Sequence, residues 1–355
     1  MRYGLILAGG RGTRFWPRSR RKTPKQVLTV TGEHSLIQAT VHRLAPLIPP
    51  ENIWILANEH VRDLIVEQLP EIPQNQILAE PEQRNTAAAI GLAAHILESI
   101  DPEAVFGVFP SDHVIADGNA YVEALKPAFE AAAYGKIAVL GIAPRWAETG
   151  YGYIEFEPGV RAGDHPNVQP VKSFREKPDA ETAKKFVEAG NFFWNAGMFF
   201  WRAEVVLDNL RRHLPKTATL LAGLPGFRDP EFNERLKQVF PLCENISIDY
   251  AVLEKAQGVL GVPCGDFGWS DVGSWDALYD LLPQDASHNS GAELLVHDSS
   301  GNFVQAGAKM VALLGVKDLI VIDTPDALLI ADRGRAQQVG EIVKQLESKG
   351  RHELL

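Results

Sequence analysis

Tyr3-Gly4-Leu5-Ile6-Leu7-Ala8-Gly9-Gly10-Arg11-Gly12-Thr13-Arg14 is the stretch on which the fold turns. Its apolar half, residues 3–7, reads as a buried strand, and its glycine-rich half begins where that strand ends. A loop in this position turns backbone amides toward a ligand, and the missing side chains let phosphate oxygens come close. Arg11 and Arg14 add positive charge. A short glycine-rich run alone is more often an ordinary turn, so its meaning depends on what surrounds it. There is no GxxxxGK[ST] motif, the pattern departs from GxGxxG, and no clear acidic residue follows about 20 positions on, which weakens the kinase and dehydrogenase readings.

Outward from this stretch, short apolar runs at 53–57, 105–109 and 137–142 alternate with helical patterns at 36–47, 86–99 and 121–133. That rhythm predicts an α/β, Rossmann-like, mostly parallel sheet, with ligands beyond the carboxyl ends of its strands. After Leu282 the texture changes to short β-rich runs at 301–305, 310–314, 319–323 and 327–331, about ten residues apart. They predict a small β-rich C-terminal domain closed by a helix at 335–347, with domains at 1–285 and 286–355.

The chain has 355 residues, 45% of them hydrophobic and 23% charged, enough for a large core and no basis for extended disorder. A net charge of -10 argues against nucleic acid and anionic membranes as partners. Against that acidic background Arg11, Arg14, Arg18, Arg20, Arg21, Lys22 and Lys25 crowd the N-terminal region, which suits a polyanion such as a nucleoside triphosphate. Cys243 and Cys264 form neither a CxxC pair nor a disulfide framework. No run resembles a signal peptide or a membrane helix, and a cytoplasmic protein is expected.

Thr23-Pro24-Lys25-Gln26 places a lysine within reach of the same phosphates as the glycine loop. In Phe109-Pro110-Ser111-Asp112-His113 a carboxylate sits just past a strand, a placement suited to Mg²⁺, although Asp112 taken alone reads equally well as a cap or turn residue. His113 reads as structural. Segments 149–154, 174–178 and 194–199 pair backbone flexibility with polar groups; the Gly152 amide, Glu176 and Asn195 offer partners for sugar hydroxyls, and Lys177 a charge for a sugar phosphate. Asn85 or Thr86 reads as the cap of the Ala-rich helix.

The segment from Leu7 to Gln26 resembles the signature of sugar-phosphate nucleotidyltransferases, GGxGxR followed by a Pro-Lys pair. Glu80-Pro81-Glu82-Gln83-Arg84-Asn85-Thr86-Ala87-Ala88-Ala89-Ile90, with Pro110-Ser111-Asp112-His113 and Trp194-Asn195-Ala196-Gly197-Met198-Phe199 downstream, looks like the mannose-1-phosphate guanylyltransferase branch. The resemblance covers nearly the whole chain and implies that the C-terminal module is a short left-handed β-helix. It implies transfer of GMP from GTP to mannose 1-phosphate, giving GDP-mannose and pyrophosphate, with Mg²⁺ on Asp112 and on Asp271 of Gly268-Trp269-Ser270-Asp271-Val272-Gly273. Arg14 and Lys25 would join that acidic pair in catalysis.

The nucleotide would lie on Ala8, Gly9, Gly10, Gly12, Thr13, Arg14, Lys25, Glu80, Asn85, Thr86, Ser111 and Asp112. The sugar phosphate would lie on Gly152, Glu176, Lys177, Asn195 and Gly197. Another sugar 1-phosphate or triphosphate, or a non-catalytic regulatory subunit of the same fold, is the alternative. By family analogy the C-terminal module is a candidate homodimer surface. Some related enzymes carry an added isomerase domain, and the short remainder after the β-rich module leads to the expectation of a single activity.

Overall fold

The computed structural model describes residues 1–157, 159–162 and 167–355. Strand β1 (Arg2–Ala8) is covered on both faces: Leu5 packs in one layer with Trp54 and Phe106, and Ile6 in the other with Ile55 and Phe109. A strand buried on both sides reads as an unbroken apolar run, which is why β2 (Ile53–Asn58) and β4 (Val105–Pro110) look like β1 in sequence. With the short β3 (Ile77–Glu80) these strands run parallel in the order β3-β2-β1-β4.

Helices α1 (Leu36–Leu44) and α2 (Glu59–Gln68) pack on one face of this half-sheet and α3 (Asn85–Ile100) on the other. Ser35 starts α1 with a capping box completed by Gln38. The small side chains of Ala87, Ala88, Ala93 and Ala94 are all buried and let α3 lie close to its neighbours.

Beyond β4 come the two-residue β5 (Val114–Ile115), α4 (Gly118–Ala133) and β6 (Ala138–Ile142). Strands β7 (Tyr153–Phe156) and β8 (Gln169–Arg175) lead through α5 (Ala180–Ala189) into β9 (Phe192–Arg202), eleven residues long and rich in aromatics. Strand β9 inserts antiparallel between β4 and β6, and β10 (Leu260–Cys264) then pairs parallel to β6.

The full nine-stranded order among the described residues is β3-β2-β1-β4-β9-β6-β10-β8-β7. The parallel pairing expected from the sequence thus holds for β1 to β4 and for β6 with β10, while β7, β8 and β9 pair antiparallel. Helices α6 (Ala203–His213), α7 (Pro215–Ala222) and α8 (Phe232–Val239) complete the layer beside α3.

One local expectation changes: α3 has no side-chain cap from Asn85 or Thr86, its N-cap being Arg84. Asn85 has φ +62°, and the Thr86 hydroxyl oxygen accepts from the backbone N–H of Ile248 at 2.9 Å, tying the helix start to a distant loop instead.

Strand β11 (Trp269–Ser270) pairs with β5, and α9 (Trp275–Tyr279) leads to the C-terminal module of β12 (Leu294–His297), β13 (Phe303–Gln305), β14 (Val311–Leu314), β15 (Leu319–Asp323) and β16 (Leu328–Asp332). Here β12 pairs parallel with β14, and β13 with β15. Leu294 opposes Val311 and Phe303 opposes Ile320, so each parallel partner lies one 17-residue coil further on (311 - 294 and 320 - 303). Parallel strands this close in sequence are stacked turns of a β-helix, not crossovers through a helix.

The closing helix α10 (Val339–Ser348) follows a 3₁₀ stretch at Arg333–Gln338 and packs back against the N-terminal loop. No helix among the described residues is long and apolar enough to cross a membrane.

Candidate active site

At the carboxyl ends of β1 and β4 a cleft of about 800 Å³ opens, within the range of small-molecule sites. One wall is the glycine loop with the start of α3, where Gly9, Gly10, Glu80, Asn85 and Thr86 face the space. Asp112 and Asp271 lie across it. The opposite wall carries Gly152, Glu176, Asn195 and Gly197. Segments scattered over more than 260 positions meet here: the glycine loop, Glu80 and Asp112 come from the ends of β1, β3 and β4, Glu176 follows β8, Asp271 follows the β5–β11 pair, and Asn195 and Gly197 lie within β9.

Other expected residues stand behind the wall and shape it. Ala8 and Gly10 accept through their carbonyls from the Gln26 amide at 2.6 and 3.1 Å, which fixes the loop on the chain that follows it. Gly12 has φ +60°, and a Cβ there would overlap Lys25. Ser111 is buried, its N–H donating to Leu7.

Lys25 is itself buried, and its ammonium donates to Asp112 Oδ2 at 2.9 Å and to the Asp271 carbonyl at 2.6 Å. Burial pushes the Asp112 carboxyl up, but Lys25 and His113 more than offset it and hold it below the ordinary value. The Asp271 carboxylate accepts from Tyr151 Oη at 2.7 Å and from the Gly273 N–H at 3.1 Å through one oxygen, Oδ1. His113 accepts at Nδ1 from the Trp269 indole N–H at 3.2 Å, in keeping with a structural role.

Three expected residues fall away from the cleft. Arg14 is exposed, with no ion-pair partner among the described residues, and Arg11 is the arginine that reaches the cleft wall. Thr13 lines a neighbouring cavity that shares Arg11, Glu80 and Gln83 with the cleft. Lys177, at φ +47°, leans outward and pairs with Glu176 Oε1 at 3.0 Å.

On the sugar side Glu176 Oε2 is buried without a hydrogen-bond partner among the described residues. A buried carboxylate oxygen left open costs a few kcal/mol, on the order of 1–3, unless a ligand donor meets it. Asn195 Oδ1 accepts from Gly197 N–H at 3.0 Å, while its Nδ2 donates to Asp249 Oδ1 at 3.1 Å. Burial first, and then the neighbouring Glu176 charge, lift Asp249 to about 6.

Sequence reasoning missed Asp249, which sits on a π-helical turn at Asp249–Leu253. Such turns frequently mark functional sites, and an acid inside an apolar run was the one signal available. Gln83, inside the segment 80–86 expected at the base, lines the cleft, and its amide donates to the Gly9 carbonyl.

A glycine-loop wall, a central acidic pair and a polar far wall at the strand ends are the arrangement of a nucleotidyltransferase. Residues 3–288 match the family described as nucleotidyl transferase, and 293–346 the MannoseP isomerase/GMP-like beta-helix domain. The xanthan biosynthesis protein XanB of Xanthomonas campestris is 40% identical over 353 residues, covering 98% of this chain and 74% of the relative. The mannose-1-phosphate guanylyltransferase of Escherichia coli K12 is 38% identical, covering 99% and 74%.

Among solved structures, one from Thermus thermophilus, described as a mannose-1-phosphate geranyltransferase, superposes with a TM-score of 0.85 at 35% identity, covering 98% of this chain and 99% of that one. The chain belongs to the mannose-1-phosphate guanylyltransferase family of sugar-phosphate nucleotidyltransferases.

Proposed function

We propose that this enzyme transfers GMP from GTP to mannose 1-phosphate, giving GDP-mannose and pyrophosphate. The observation that carries the reading is the single cleft with Asp112 and Asp271 between a glycine-loop wall and a polar wall built on Glu176, Asn195 and Gly152. A phosphate oxygen of mannose 1-phosphate attacks the α-phosphorus of GTP in line. The bond from that phosphorus to the bridging oxygen breaks, and pyrophosphate leaves with the electron pair. No covalent enzyme intermediate is needed, so catalysis rests on positioning and charge neutralisation.

In this reading the amides around Gly9, Gly10 and Gly12, with Arg11, take the triphosphate, and Thr13 and Arg14, which stand off the cleft wall, would have to turn inward to join them. Ala8, Glu80, Asn85, Thr86 and Ser111 border the nucleoside, and Gly152, Glu176, Lys177, Asn195 and Gly197 take mannose 1-phosphate. Asp249 is added on the strength of its place in the cleft wall. Lys25 holds Asp112 ionised and holds the loop of Asp271 in place.

The donor set suits Mg²⁺. Two hard carboxylates share the cleft, and no cluster of three or more metal-ligating side chains exists among the described residues; Mg²⁺ ordinarily takes one or two carboxylates with water and substrate phosphates. Held by Asp112 and Asp271, it would neutralise phosphate charge and orient the two anionic substrates.

The same reading divides the chain at 285/286 and places the protein in the cytoplasm, where the buried thiols of Cys243 and Cys264 stay reduced. It also assigns homodimer contacts to the β-helix, where Leu295, Leu314, Leu328 and Ile330 are exposed. The test is pyrophosphate release with Mg²⁺, each of the four common triphosphates and a panel of sugar 1-phosphates. The pair GTP and mannose 1-phosphate is expected to dominate, and a profile without it overturns the assignment.

A further inference from the structure

The two carboxylate oxygens of Asp271 are in different states. Oδ1 accepts from Tyr151 Oη at 2.7 Å and from the Gly273 N–H at 3.1 Å, whereas no hydrogen bond reaches Oδ2 among the described residues. An ionised carboxylate offers about four lone-pair sites, two on each oxygen. Two donors therefore fill Oδ1, and Oδ2 is the oxygen left open on an acid that lines the cleft.

The phenol that fills Oδ1 is aimed there by its surroundings. The Tyr151 ring stands edge-on to Trp194 and Trp269, with ring centres 5.3 and 5.2 Å away, and both indoles are buried. The Tyr151 carbonyl accepts from the Lys177 N–H at 3.2 Å, which fixes the backbone of the same residue. An ordinary phenol ionises only near pH ~10, so at neutral pH it donates. The second donor is held as firmly. Val272 is fully buried at φ +44°, a conformation that a β-branched residue seldom adopts, and it holds the turn that brings the Gly273 N–H back to Oδ1.

The number of oxygens that a carboxylate presents bears on which cation it suits. Ca²⁺ takes about six to eight oxygen ligands in flexible geometry and accepts a carboxylate through one oxygen or both. Mg²⁺ is smaller, demands octahedral geometry, and takes few carboxylates alongside water and phosphate.

We propose that Tyr151 is a positioning residue that sets cation choice at the active site. With Gly273 it fills Oδ1 and restricts Asp271 to ligation through Oδ2 alone, which favours Mg²⁺ over Ca²⁺. Removal of the phenol oxygen frees a site on Oδ1, and ligation of the larger ion through both oxygens becomes available. This rests on the reading of Asp271 as a cation ligand.

The experiment follows Mn²⁺ bound to the full chain by electron paramagnetic resonance, without nucleotide, so that the protein alone holds the ion. Mg²⁺ or Ca²⁺ then displaces it from wild type, Tyr151→Phe and Asp271→Asn. The Mn²⁺ that Asp271→Asn fails to bind defines the site. Tyr151→Phe keeps the ring against Trp194 and Trp269, and its Tm should match that of wild type. Relative to Mg²⁺, Ca²⁺ is expected to displace the site's Mn²⁺ about tenfold more readily from Tyr151→Phe than from wild type, the factor that one hydrogen bond or ligand contact is worth. In pyrophosphate release with Mg²⁺, GTP and mannose 1-phosphate, Ca²⁺ should inhibit the variant at correspondingly lower concentration.

An unchanged or lowered preference for Ca²⁺ in Tyr151→Phe, with the site's Mn²⁺ still bound, overturns the proposal and leaves Asp271 as a ligand. Equal weakening of both ions makes Tyr151 a packing residue only and overturns it too. Equal Mn²⁺ binding by wild type and Asp271→Asn removes Asp271 as a ligand, and this proposal with it, whatever Tyr151→Phe does.

Discussion

Asp271 is fastened through one carboxylate oxygen by Tyr151 and Gly273, while its backbone carbonyl accepts from Lys25. Asp271→Asn keeps the shape and removes the charge, so turnover is expected to fall at least about 100-fold with little change in Tm. Pyrophosphate release near the wild-type rate rules out the assignment.

Glu80 offers a test by pH. Burial lifts its carboxyl from the ordinary 4.5 to about 7. The folded protein keeps a proton there that the unfolded chain gives up, so the contribution of this group to stability is full below about pH 4.5 and is lost as pH rises to about 7. Glu80→Gln has no proton to lose, and its Tm should fall less than that of wild type across that window. Parallel Tm curves for the two proteins contradict a buried, protonated Glu80.

Among elements, the start of β7 sets the sugar wall. The Gly152 carbonyl accepts from the Asn195 N–H at 2.8 Å, which brings β9 against it, and a Cβ on Gly152 would overlap Glu176 Oε2. Gly152→Ala is therefore expected to raise KM for mannose 1-phosphate about tenfold or more, with KM for GTP nearly unmoved, since one displaced hydrogen bond to the sugar is worth about that factor. Steady-state kinetics in both substrates decide it, and equal rises in the two KM values count against a sugar-side role.

The start of α3 shows a similar division between what is local and what is not. That a helix begins near Asn85 follows from the Ala-rich run after a polar cluster, but that the Thr86 hydroxyl serves Ile248 instead of capping the helix depends on a contact 162 positions away.

Across the whole molecule, the β-helix and the catalytic sheet are joined through one aromatic and aliphatic core. Phe15, Trp275 and Phe303 pack together, and the Trp275 indole N–H donates to the Trp16 carbonyl at 2.9 Å. The glycine loop thus leans on a core that the C-terminal module completes. Trp275→Ala is expected to destabilise the fold by about 3–5 kcal/mol, and denaturant unfolding should show it. A loss near zero means the two parts are energetically independent.

The strand ending in a glycine loop, the β-α-β rhythm, the change of texture after Leu282 and the polar segments at strand ends were all legible in the chain, because each depends on near neighbours: burial on both faces of a strand, helical periodicity, turn residues. Tertiary structure alone decided that Lys25 is a buried partner of Asp112 and of the Asp271 carbonyl, 87 and 246 positions away. It also decided that Arg11 and not Arg14 faces the cleft, that Asp249 joins Glu176 and Asn195, that β9 runs antiparallel through the sheet, and that α10 closes a cavity behind the loop. Side-chain direction and the pairing of distant charges are set by packing between elements, and neither periodicity nor spacing along a chain carries that information.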